Sequence, residues 1–132
     1  MSGYTVVNLK QVEDQAPRFG YAPHLQARFA RRALGLGQSG LSHFAVAPGF
    51  RLPFGHHHAE QEEIYVVVAG SARFKLGEEI VELGPWDAVR VAPEITRGME
   101  GGPDGAQILA FGAPSNENAD VQMVQDFWED SV

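Results

Sequence analysis

The chain has no cysteine. That excludes disulfide scaffolds, thiolate zinc sites and cysteine nucleophiles. It also has no apolar run near the ~18 residues that a membrane-spanning helix needs, so no membrane partner is expected. The longest run, Ile64-Tyr65-Val66-Val67-Val68-Ala69, has the length of a buried strand. Residues 1–8 carry neither the basic flank nor the apolar stretch of a secretory signal, which makes a cytoplasmic location the default expectation. Basic residues are scarce: 10 Lys and Arg against 17 Asp and Glu give a formal charge of −7. The basic footprint that nucleic acid requires is missing, so no nucleic-acid partner is expected. The few bases are also unevenly placed. Lys10, Arg18, Arg28, Arg31, Arg32 and Arg51 all precede residue 59, where only two acids stand. We read this as solubility and self-complementary association, with contact between Arg28–Arg32 and an anionic partner as the alternative.

The 132 residues are one domain's worth of chain, enough to bury a core without disulfide or metal staples. Its 15 Gly and 8 Pro break the sequence into short apolar segments, which predicts strands. Strands are expected at 4–9, 41–47, 54–58, 63–69, 72–76, 79–83, 88–91 and 107–111. Many short strands at this spacing give an all-β sandwich or barrel. Short helices are expected near 24–34 and 117–128, the second with Ala119, Met123, Val124 and Phe127 on one face. With Phe127-Trp128 beside it, that tail is expected to pack on the barrel or on a second subunit.

The chemistry is concentrated between Gly49 and Gly70. Four of the five histidines fall within residues 43–58, and His56, His57 and His58 are consecutive. Side chains alternate along a strand, so His56 and His58 project together and His57 opposes them. Two imidazoles on one face can converge on one ion, and a chain that turns back at 59–62 brings Glu63 beside them. Two His and one carboxylate leave positions open for water, dioxygen or substrate. Glu62 is the fallback ligand if the register slips by one residue. Tyr65 shares the parity of Glu63. Its hydroxyl would then bind substrate or orient Glu63, unless it is only a core residue.

This segment resembles the first motif of the cupin superfamily, G-x5-H-x-H-x3–4-E-x6-G. His56, His58, Glu63 and Gly70 match in order and spacing, Gly49 lies one residue too far upstream, and Pro53 precedes the histidines. The second motif is degraded: Gly84-Pro85, Trp86-Asp87 and Pro93 keep its character, but Glu94-Ile95 follow the proline and Arg97 stands where the fourth ligand, a histidine, belongs. The resemblance implies a single-domain, all-β cupin-type antiparallel barrel or jelly roll over residues 1–132. Its core would span about 40–112, with short N- and C-terminal extensions and association as a homodimer. It implies a divalent metal (Mn, Fe, Ni or Zn) on His56, His58 and Glu63, and a small-molecule pocket lined by His43, Tyr65 and Arg97.

Arg97 decides the mechanism, because a guanidinium has no lone pair for a metal. Either the three ligands suffice, or His43 completes the set, or Arg97 pairs with Glu63 or Glu62 and no metal binds. A pocket arginine suits a carboxylate-bearing ligand, whose geometry its planar fork matches. Two classes of function follow. One is a metal-dependent enzyme of the oxygenase, isomerase or decarboxylase type, with the ion as Lewis acid. The other is a metal-free, non-catalytic binding or sensing barrel. Phe44, Phe54, Phe74 and Phe111 are expected in the core, Trp86 beneath its turn, and Asp87 on backbone amides of that turn.

Overall fold

A computed structural model describes residues 3–115 and 120–129. The described residues form β1 (Leu25–Phe29), β2 (Gly40–Val46), β3 (Gly55–His58), β4 (Glu62–Leu76), β5 (Glu79–Leu83), β6 (Ala88–Val91), β7 (Arg97–Ala113) and β8 (Val121–Val124), with one helical turn, α1 (Arg31–Leu34). Every strand pairing is antiparallel. The strands run β1-β2-β7-β3-β8, while β4 bonds β5, β6 and β7. This is a curled jelly-roll sheet. No helix of the described residues is long and apolar enough to cross a membrane.

The pairing of β4 with β7 is the spine. It extends from Glu62↔Ala113 to Leu76↔Arg97, with register shifts between Val67 and Ala69 and between Gly70 and Ala72. Before the shifts β4 buries Glu63, Tyr65 and Val67; after them it buries Ala72 and Phe74. In β7 the buried set likewise changes from Arg97 and Met99 to Ala106, Ile108 and Ala110. The extra residue at a bulge re-aims the alternation and bends the strand, so one continuous strand lines the interior on both arms of its bend. Gly70 sits at the bend with φ +73, and a Cβ there would lie 2.0 Å from the Gly105 carbonyl oxygen. Between the arms, Tyr65, Val67, Phe74 and Ile108 are fully buried.

Several expectations are corrected. Residues 24–34 are not a helix: they form β1 and the single turn α1, which ends at Gly35. Leu25 and Ala27 are buried while Gln26 is exposed, a period of two that pairing with β2 imposes on residues of good helix propensity. Within 117–128, Val121–Val124 is strand β8 on β3, and turns follow; 117–119 lie outside the described residues. Residues 4–9 form no strand, and Tyr4 and Val6 are exposed. The stretches 63–69 and 72–76 are one bent strand, and 107–111 is the end of a strand that begins at Arg97. Phe111 is 42% exposed on the outer face and Trp86 is 76% exposed. Asp87 accepts the Gly84 N–H at 2.8 Å, as its place in the turn suggests.

Replacing Gly70 with Ala is expected to cost at least about 2 kcal/mol, from the left-handed backbone and the clash with Gly105 together. Gly77 also has positive φ (+62) but open space around it. Gly77→Ala should therefore cost about 1 kcal/mol. Urea denaturation of the two variants tests the difference.

Candidate metal centre

Strand β3 presents His56 and His58 on one face, and its bridge His56↔Arg97 ties it to the start of β7. Glu63 opens β4 and reaches the same point. His56 Nε2 lies 3.2 Å and His58 Nε2 3.4 Å from Glu63 Oε1. One donor atom from each of the three residues falls within 4.8 Å of the others. Glu63 is buried and Glu62 exposed, so the parity of β4 selects Glu63. The Tyr65 hydroxyl donates to Glu63 Oε1 at 2.7 Å, and the Gln61 amide donates to Oε2 at 3.2 Å. His57 projects away, with its Nδ1 3.4 Å from the Thr96 hydroxyl.

Arg97 is 1% exposed and its Nη1 stands 3.8 Å from Glu63 Oε1. Its Nη2 donates to the Ala92 carbonyl at 3.0 Å and faces the Val91 carbonyl at 3.4 Å, whereas Nε and Nη1 have no hydrogen-bond acceptor among the described residues. Asp120, which no local sequence signal marks, is a further contributor. The His58 Nδ1–H donates to Asp120 Oδ1 at 2.7 Å, and Asp120 Oδ2 accepts the backbone N–H groups of Glu60 (2.6 Å) and Gln61 (3.1 Å). That bond holds the His58 ring with Nε2 toward Glu63.

His43 stands elsewhere. Along β2 it alternates with Phe44 and Val46, which pack in or against the core, and its Nε2 meets Gln107 Oε1 at 2.6 Å. It shares a cleft with Leu9, Lys10, Val68 and Leu109 on the outer face of the sheet. Strand alternation therefore turns His43 away from the interior that Phe44 and Val46 face, and it does not line a pocket with Tyr65 and Arg97.

Charge sharing dominates the electrostatics. Burial would raise the Glu63 pKa, yet the adjoining His56 and His58 rings and the Tyr65 hydroxyl drive it well below the carboxylate range. Burial would lower His58, but the nearby Glu63 carboxylate and the bond to Asp120 outweigh it and raise the ring above its ordinary 6.5. Burial and the neighbouring Glu63 carboxylate push the Tyr65 hydroxyl up, so it stays a donor. Asp120 is pulled to about 2: slight burial opposes this, and the Glu60 amide and His58 prevail.

The donor set fits a metal. Bonds of about 2.1 Å at angles between square and tetrahedral separate two donors by about 3.0–3.4 Å. The two imidazole–carboxylate separations, 3.2 and 3.4 Å, lie in that range, and all three donor atoms lie within 4.8 Å of one another. His58 Nε2 is buried with no hydrogen bond of its own among the described residues, an arrangement that an ion would satisfy.

In metal-free protein, the Asp120–His58 pair adds its full stability only while both groups are charged. Asp120 has a lowered pKa, so its contribution is present above about pH 4 and lost as pH falls through about 2. His58 has a raised pKa, so its contribution is full below 6.5 and lost as pH rises through the raised value. Wild type should exceed Asp120→Asn by about 1–2 kcal/mol between pH 4 and 6.5, and the gap should narrow on both sides. Urea melts of chelator-treated protein across pH 2–9 check this.

No protein-family model matches the chain, and no curated protein does. Solved structures do. A cupin protein from Bacteroides fragilis superposes with a TM-score of 0.71 at 22% identity over 89% of each chain. Oxalate decarboxylase from Bacillus subtilis gives 0.72 at 17% identity, over 95% of this chain and 33% of that one. Pac13 of Streptomyces, a nucleoside dehydratase, gives 0.67 at 18% identity over 96% and 92%. The fold of this chain is the cupin fold.

Proposed function

We propose that this chain is a single cupin domain, residues 1–132 with its barrel core at about 40–112, that holds a divalent ion through His56, His58 and Glu63 and binds a small carboxylate-bearing molecule beside it. The observation that carries this reading is the convergence of two imidazole nitrogens and one carboxylate oxygen within 4.8 Å, with His58 Nε2 buried and, among the described residues, without a hydrogen bond of its own. Imidazole and carboxylate donors suit Mn, Fe, Ni or Zn. Such an ion, when bound, supplies Lewis acidity to substrate oxygens. The chain's own residues then have distinct parts. Asp120 fixes the tautomer of His58, Tyr65 and Gln61 hold the Glu63 carboxylate in place, and Arg97 offers free N–H groups to an anionic ligand.

The reaction stays open among oxygenase, isomerase and decarboxylase chemistry. The structural neighbours include a decarboxylase and a dehydratase on one fold, and a fold does not choose a reaction.

The second reading is a metal-free, non-catalytic binding or sensing barrel. Arg97 favours it, because a fixed cation 3.8 Å from Glu63 already stands at the fourth position. Elemental analysis of protein purified without a nickel column separates the two readings. One ion per chain, lost in His56→Ala and in His58→Ala, is the expected result. No ion, with ligand-induced thermal shifts unchanged in both variants, sinks the metal site.

We also propose a homodimer. Ile64 and Phe111 are cross-strand neighbours and both exposed on the outer sheet face, and opposite charge predominates in the two halves of the sequence. Light scattering should give twice the 14.4 kDa chain mass, and a 14.4 kDa species alone would refute it.

A further inference from the structure

Among the described residues, strand β8 is held along one side only. It bonds β3 through Gly55↔Val124, His56↔Met123, His57↔Gln122 and His58↔Val121, and three of its four residues are exposed. A short edge strand with so little burial opens at low cost. Its anchors are at the two ends. Ahead of it, Asp120 takes the His58 ring and the amides of Glu60 and Gln61. Behind it, the Phe127 ring covers Gly55 and Gly98, where a Cβ would come within 2.6 and 3.0 Å of it. Trp128 is 4% exposed, with the Arg51 guanidinium 4.3 Å from its ring. The Lys75 ammonium lies 4.4 Å from the Phe127 ring and donates to the Phe127 carbonyl.

We propose that residues 120–129 are a clasp whose docking on β3 and the loading of a divalent ion at His56, His58 and Glu63 strengthen each other, with Asp120 as the positioning residue; this rests on the metal reading above. Docked, Asp120 accepts from Nδ1 and leaves the Nε2 lone pair facing Glu63, the tautomer and orientation a ligand needs. Undocked, the ring loses that partner, and an ion must order it at its own expense. In the other direction, an ion on Nε2 makes Nδ1–H a stronger donor and tightens its bond to Asp120. Linkage requires the two effects to be equal in free energy. The clasp thereby gives the weakly held edge strand a role that its exposed side chains do not supply.

The test uses the full chain and Zn2+ as probe, with calorimetric titration and amide hydrogen exchange. Asp120→Asn is expected to weaken Zn2+ binding about 10- to 100-fold. Phe127→Ala, which changes an anchor without changing a donor atom, should weaken it about fivefold or more. Saturating Zn2+ should slow exchange of the β8 amides by a larger factor than those of β5. The clasp is overturned if wild type binds Zn2+ while either variant, folded by circular dichroism, keeps wild-type affinity, or if β5 and β8 slow equally. Wild type that takes up no Zn2+ removes the metal reading and the clasp with it.

Discussion

Everything at the candidate site depends on one ribbon folding back on itself. Along β4 and β7, Glu63↔Gly112 lies next to one end of the pairing and Leu76↔Arg97 closes the other. Laid flat, the 13 residues from Glu63 to Leu76 would span about 43 Å. Instead Arg97, bonded beside Leu76, stands 3.8 Å from Glu63. The bend at the register shifts brings the arms face to face, and the close approach of Gly70 to Gly105 permits it. The same bend changes the buried parity, so Glu63 and Tyr65 on one arm and Arg97 on the other all point inward. Strand β3 bridges to Arg97 and delivers the two histidines to the closed end.

Glu63 is the anion around which these groups are arranged. One oxygen, Oε1, faces two imidazoles, a phenol and a guanidinium, and the other takes the Gln61 amide. Removing such a carboxylate from water is costly unless its lone pairs are occupied. Here they are, which is why its pKa falls despite burial. A metal ion would replace proton-sharing between the imidazoles and the carboxylate with coordination, using donor atoms already in position. Asp120 extends the arrangement outward, since a carboxylate behind a histidine raises the basicity of the nitrogen in front.

How much of this the sequence disclosed depended on whether the information was local. His56, His58, Glu63 and Tyr65 lie within ten residues, and strand alternation alone puts them on one face. Arg97 came from the resemblance, because nothing local links it to residues 56–63. His43 shows the limit of parity: alternation separates it from Phe44 but does not say which of the two looks inward, and that is decided by what β7 lays beside it. Residues 24–34 have helical propensity, and a strand partner overrode it. Asp120 was invisible for a related reason. Its acidic neighbourhood reads as a solvated helix face, and only the pairing of β8 with β3, across 62 positions of sequence, brings it to His58.

Arginine in place of a fourth histidine changes more than ligand count. Histidine would contribute a lone pair and no fixed charge; Arg97 contributes a permanent cation and none of the former. Only Nη2 has carbonyl acceptors, so Nε and Nη1 are buried donors without a protein acceptor among the described residues. A buried, incompletely bonded guanidinium is unfavourable. An oxygen anion relieves it on either reading of the site. With a divalent ion loaded, one glutamate carboxylate does not balance the ion and Arg97 together, and an anionic ligand would reduce the excess. Without an ion, His56 and His58 share Glu63, and Arg97 at 3.8 Å is left the weakest of its partners. An arginine at this position would therefore favour an anionic ligand whether or not an ion is present.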